Sequence, residues 1–101
     1  MDELHVRKIA IDIIPDGVPF IELLVERHVF DSDGNRAQII GNYGRVYKRI
    51  TDFNPIPIGT MADDGVIDNY ELMYLVGFAA LTWVAIEYGT TVTPEGKVLI
   101  E

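Results

Sequence analysis

Fifteen consecutive residues, Leu72 to Ile86, carry no charge, and Glu71 and Glu87 bracket them. Asp68 stands where a helix needs its N-cap, Glu71 follows at capping-box spacing, and Gly89 supplies a C′ residue. The spacing therefore predicts one helix over 68–88, about five turns long. Tyr, Trp, Val and Ile in the run also suit strands; the caps, the length and the pair Ala79-Ala80 favour helix. Apolar side chains point to nearly every side, with Tyr74, Phe78 and Trp83 beside Leu72, Leu75, Val76, Leu81 and Ile86. Such a helix is normally buried all round, so whatever else the chain forms must help to cover it. Gly77 and Ala80 are small enough to allow close backbone approach. The run falls short of the ~20 residues of a membrane span and has acidic rather than basic flanks, so no membrane partner is expected.

The first half reads as strands. Leu4 to Ile14 and Phe20 to Phe30 are rich in β-branched and aromatic residues, and the connector Pro15-Asp16-Gly17-Val18 holds the Asp-Gly pair favoured by type I′ turns. With Asp16 and Gly17 as the central turn residues, Ile14 faces Pro19. That register sets Arg7 opposite Glu26, His5 opposite His28, and Ile9 opposite Leu24. Asp31-Ser32-Asp33-Gly34-Asn35 predicts a type I turn closed by a bulge at Gly34, and Arg36 to Ile50 a third strand broken near Gly41 or Gly44. Phe53 to Gly59 cannot be helical because its alternating prolines fix φ and remove donors, so 51–67 is expected to run as an extended strap. The residues from Thr90 onward suggest a short closing hairpin around Pro94-Glu95-Gly96. The expectation is one α+β domain: a β-meander over 1–50, the strap, the helix packed on the sheet, and the hairpin over 90–101.

One helix on one sheet needs a single apolar sheet face. The second strand offers Ile21, Leu23, Val25 and Val29 on one parity, yet Phe20, Leu24 and Phe30 share the other with Glu22, Glu26 and His28. The predicted register adds Ile9, Ile11 and Ile13 to that mixed face. With 49 % hydrophobic residues, the chain holds more apolar surface than a lone domain of 101 residues is expected to hide. Identical neighbours are the expected cover, which makes the chain a homo-oligomer or a component of a larger particle. The candidate contact residues are Ile11, Phe20, Leu24, Tyr43, Tyr47, Pro55, Ile56, Pro57, Tyr74 and Trp83.

Charge narrows the partners. The net charge is −8, and residues 50–101 hold only Lys97 against eight acids. A surface that binds nucleic acid gains affinity through clustered Lys and Arg, so no direct nucleic-acid contact is expected. The one basic cluster, Arg45, Lys48 and Arg49 beside Tyr43 and Tyr47, suits an acidic neighbour. No cysteine is present, so neither disulfides nor thiolate metal sites are available. The N-terminus lacks the basic-then-apolar pattern of a secretory signal.

Motifs for chemistry are weak. Asp31 to Asn35 has its glycine one position too early for a calcium-binding loop, and Asp63-Asp64-Gly65 with Asp68 reads as a polar lead into the helix cap. His5, His28, Glu3 and Glu26 fall on one predicted sheet face, the nearest approach to a metal site, and polar decoration at strand ends accounts for them as well. No nucleophile lies near a base, and no cofactor is expected. The expected function is therefore non-enzymatic.

The long hairpin around Val18 to Phe30, the Pro-containing strap from Phe53 to Gly59 and the single apolar helix resemble small structural proteins of tailed-bacteriophage particles. The resemblance is one of general style. It implies a capsid-decorating or tail-associated virion subunit, found in the virion or the host cytoplasm. A different class, an acidic binding module or inhibitor docking on a basic partner, fits the charge distribution.

Overall fold

Leu4 and Val6 occupy even positions, Ile9 and Ile11 odd ones, and this change of phase shapes the first strand. In the computed structural model, which describes residues 1–53 and 68–101, strand β1 is Asp2–Asp12 and pairs antiparallel with β2, Phe20–Phe30. Val6 faces Val25 while Lys8 faces Leu24, so Arg7 is an extra residue in a β-bulge. The bulge places Leu4, Val6, Ile9 and Ile11 all on one face, with Ile21, Leu23 and Val25 of β2. Side-chain alternation has a period of two, so only a one-residue insertion can unite apolar positions of opposite parity.

The register differs from the sequence expectation accordingly. His5 faces Glu26 and Glu3 faces His28, while Ile9 and Ile11 face Leu23 and Ile21 on the core side instead of the mixed face. The turn differs too. Gly17 donates its backbone N–H to the Ile14 carbonyl (3.0 Å), and Asp16 takes the positive φ of 60°. Pro15 and Asp16 are thus the central pair, because proline presets the φ of the first central position.

Strand β3, Arg36–Arg49, continues the meander. Its turn is the expected one: Gly34 has φ 81°, and the Asp31 carboxylate accepts from the backbone N–H groups of Asp33 and Asn35. The predicted break in the third strand is also present, since the pairing jumps from Val25↔Gly44 to Arg27↔Ile40. A Cβ on Gly44 would lie 1.8 Å from the Tyr88 hydroxyl, so glycine is required there by a close approach. A one-turn 3-10 helix, Ile50–Asp52, follows β3. The remainder of the expected strap, including Pro55, Ile56 and Pro57, lies outside the described residues.

Helix α1 spans Asn69–Glu87 and is capped as its sequence requires. The Asp68 carboxylate accepts from the Glu71 backbone N–H (2.8 Å). At the other end Gly89 has φ 72°, Gly89 donates to the Ile86 carbonyl and Thr90 to that of Ala85, the paired bonds of a Schellman motif. The chain then turns over 93–97, makes one bridge between Val92 and Val98, and enters β4, Val98–Ile100. This last strand pairs with Asp2–Leu4 of β1, giving one antiparallel sheet of order β3-β2-β1-β4.

The core lies between one sheet face and α1. Leu4, Leu23, Val25, Val46 and Val98 meet Ala80, Val84 and Ala85 of the helix, whose small side chains allow close approach. Arg27 fastens the strand ends on the same face. It donates to the Asp2 carboxylate (2.6 Å), the Tyr43 hydroxyl (3.0 Å) and the Glu101 carbonyl (2.9 Å), and holds the Asp2 carboxyl below its ordinary pKa. Gly44→Ala is expected to destabilise the fold by about 1–3 kcal/mol, the range for overpacking a filled site. Adding Tyr88→Phe should recover most of the loss; denaturant unfolding of the single and double variants checks both.

Candidate interaction surface

The helix is longer than the sheet is wide. Nineteen residues span about 28 Å at ~1.5 Å each, whereas the outer axes of four strands lie about 14 Å apart at ~4.8 Å spacing. At its C-terminal end α1 sits over β3, where Glu87 pairs with Lys48 (2.8 Å) and Tyr88 rests on Gly44. Toward its N-terminus it passes over β1 and leaves the sheet beyond β4, beside Val92 to Pro94.

The stripe buried in the second half of α1, Ala80, Leu81, Val84 and Ala85, continues backward at helical spacing as Gly77, Tyr74, Met73 and Tyr70. Gly77 still faces the edge of β1 across a cleft, whereas Met73 and Tyr74 lie beside the loop residues Val92 to Pro94. Tyr70 is 81 % exposed, Tyr74 66 % and Met73 61 %, with Phe78, Leu72 and Ile86 also exposed. Length and composition would allow this helix to cross a membrane, and only 17 % of its apolar window is buried.

Beside the middle of α1, β1 has a free edge. Strand β4 pairs only with Asp2–Leu4, so among the described residues nothing pairs with the outer edge of β1 from His5 to Asp12. A cleft of about 670 Å³ opens here, lined by His5, Val6 and Ile9 on one side and Gly77, Ala80 and Leu81 on the other.

The second sheet face is uncovered but internally satisfied. Phe20 stacks on Tyr47 (5.2 Å between ring centroids), Arg45 lies over Tyr47 (4.5 Å), and Arg49 lies over Phe20 (5.7 Å). Arg45 also donates to Glu22 (2.5 Å), and the Tyr47 hydroxyl to Asp12 (3.3 Å). The basic cluster seen in the sequence is thus divided: Arg45 and Arg49 serve this face, and Lys48 anchors the helix on the other.

His5 and His28 meet on this second face despite the shifted register, because a slip of two residues preserves parity. Their rings stack at 3.6 Å between centroids and 15° between planes, with Glu26 3.2 Å from His28 and Glu3 3.9 Å from His5. Only 5 % of His28 is exposed, and its Nδ1 is buried without a hydrogen-bond partner among the described residues. Cofacial rings do not converge their nitrogens on one point, and no group of three or more His, Asp or Glu side chains among the described residues could hold a metal ion.

The predicted contact residues separate into groups. Phe20 and Tyr47 come together on the second face, with Leu24 between Lys8 and Arg45. Ile11 is 53 % exposed on the helix side, past the reach of α1. Tyr43 and Trp83 pack at the margin of the core, Tyr43 against Tyr88 and Trp83 against Phe53 (4.4 Å). Tyr74 stands on the overhang. Sequence reasoning missed the overhang and the free edge. The phase change between Val6 and Ile9 was the available signal for the bulge. Comparison with protein-family models, with characterised proteins and with solved structures finds no match.

Burial and the neighbouring His28 hold His5 below its ordinary pKa, and Arg36 adds to this while Glu3 and Glu26 oppose it. The folded chain therefore binds a proton at His5 less readily than the unfolded chain, and stability falls as pH drops below about 6.5. His5→Gln is expected to flatten the dependence of melting temperature on pH between about 7.5 and 5.5. An unchanged slope would show that His5 does not carry it.

Proposed function

We propose that this chain is a non-enzymatic structural subunit that works by self-association within a larger particle. The observation that carries this reading is the exposed stripe Tyr70, Met73 and Tyr74, continuous through Gly77 with the buried stripe of α1 yet projecting past its own sheet. Burial of apolar surface contributes ~25 cal/mol per Å², and aromatic side chains that fill a neighbour's pocket supply a large share of such contacts. The general style of a long hairpin and one apolar helix supports the finer reading, a capsid-decorating or tail-associated protein of a bacteriophage virion.

A second reading, α1 laid against or across a lipid bilayer, is favoured by its length and its exposed apolar window. Flotation with lipid vesicles separates the two, because an assembly subunit stays with the soluble fraction.

Sedimentation velocity at low micromolar concentration tests the proposal. A dimer or larger species is expected, and Tyr74→Glu, which places a charge on an exposed position, should shift it toward monomer without changing the circular dichroism. A wild-type chain that stays monomeric overturns the reading.

A further inference from the structure

The exposed stripe of α1 meets the free strand edge at Gly77, across the cleft from Ile9, and the edge has a self-complementary sequence. Beyond the bulge at Arg7, β1 pairs regularly from Lys8 to Asp12, a stretch of five residues centred on Ala10. Lys8, Ala10 and Asp12 point to the second sheet face; Ile9 and Ile11 point to the helix side. When this stretch is laid antiparallel against a second copy of itself about Ala10, Lys8 of each copy falls opposite Asp12 of the other. Ile9 then falls opposite Ile11 on the apolar side, and Ala10 faces its own equivalent.

We infer that the free edge of β1 is the site where a second copy of this chain adds its own β1, joining the two sheets across a two-fold axis at Ala10. The inference deepens the self-association reading and rests on it.

Four observations converge on this geometry. Among the described residues the edge has no strand partner, so its backbone N–H and C=O groups form a template for another strand. The bulge limits the regular stretch and thereby fixes where the centre falls. Charge is complementary only in the antiparallel arrangement: among the described residues Lys8 makes no ion pair, and an acid stands at the mirrored position. Finally, the apolar side of this edge is incompletely covered within the chain: Ile9 lines the cleft opposite Gly77 and Leu81, and the half-exposed Ile11 lies past the reach of α1, so the isoleucines of a second copy would cover them. An isologous contact of this kind closes on itself and gives a dimer.

The absence of native cysteine makes a direct test available. Directly opposed residues of antiparallel strands lie about 4.5–5.5 Å apart between Cα atoms, inside the range a disulfide spans. Ala10→Cys should therefore oxidise to a covalent dimer in high yield. Lys8→Cys alone should link no better than Asn35→Cys in the distant turn, because its equivalent lies about four residues away along the strand. Lys8→Cys combined with Asp12→Cys should link efficiently.

A second series avoids thiols. Lys8→Asp alone should weaken the dimer by about tenfold or more through like-charge apposition, and the double variant Lys8→Asp, Asp12→Lys should restore it. Circular dichroism verifies that each variant folds. A dimer insensitive to the charge swap and not trapped through Ala10→Cys overturns edge pairing while leaving self-association standing. A monomeric wild-type chain overturns both.

Discussion

A helix about twice as long as its sheet is wide sets the terms for this molecule. Its C-terminal half fits, because Ala80, Val84 and Ala85 are small enough to settle on Leu23, Val25 and Val98. The N-terminal half does not fit, because the sheet ends at a strand of only three residues. The apolar stripe nevertheless runs on unbroken to Tyr70. Caps at both ends hold the helix at full length, so the overhang is built into the element and is not a frayed end.

The orientation of the helix follows from where it is fastened. Glu87 meets Lys48, Tyr88 occupies the gap above Gly44, and Trp83 packs on Phe53, all at the β3 side. Among the described residues nothing comparable fixes the other end, where Met73, Tyr74 and Phe78 lie beside the loop residues Val92 to Pro94. Anchoring at one end converts surplus length into projection over one edge only.

Local signals in the sequence were strong enough to specify the elements. The Asp68 cap, Gly89 and the Asp31 to Asn35 turn each act through nearest neighbours, and the structure has each where its residues predict; the glycine-associated break in β3 is present too, although Gly44 there answers to the distant Tyr88. What depended on longer range was less legible. The Asp-Gly pair by itself implies a single regular ladder, whereas the register is governed by the apolar phase change at Arg7, and Pro15 shifts the turn by one residue. The candidate contacts divide in the same way. Tyr74 was visible as an aromatic with no evident cover, but Tyr43 and Trp83 look identical in sequence and pack at the core margin, because burial depends on which end of the helix the sheet reaches.

The bulge also alters where the surplus apolar surface must go. Without it, Ile9 and Ile11 would add to the face carrying Phe20 and Leu24, and that face would need a neighbour of its own. With it, the second face keeps only a few apolar residues, each flanked by charge: Leu24 lies between Lys8 and Arg45, and Phe20 is sandwiched by Tyr47 and Arg49. Glu3, Glu26 and the stacked histidines close its other end. A surface satisfied in this way gains little by association, since its ion pairs would have to be desolvated for modest return. The isoleucines moved by the bulge lie instead on the helix side of the free edge, Ile9 in the cleft opposite Gly77 and Ile11 past the reach of α1, so backbone groups, apolar side chains and a self-complementary charge pattern come together along one strand edge.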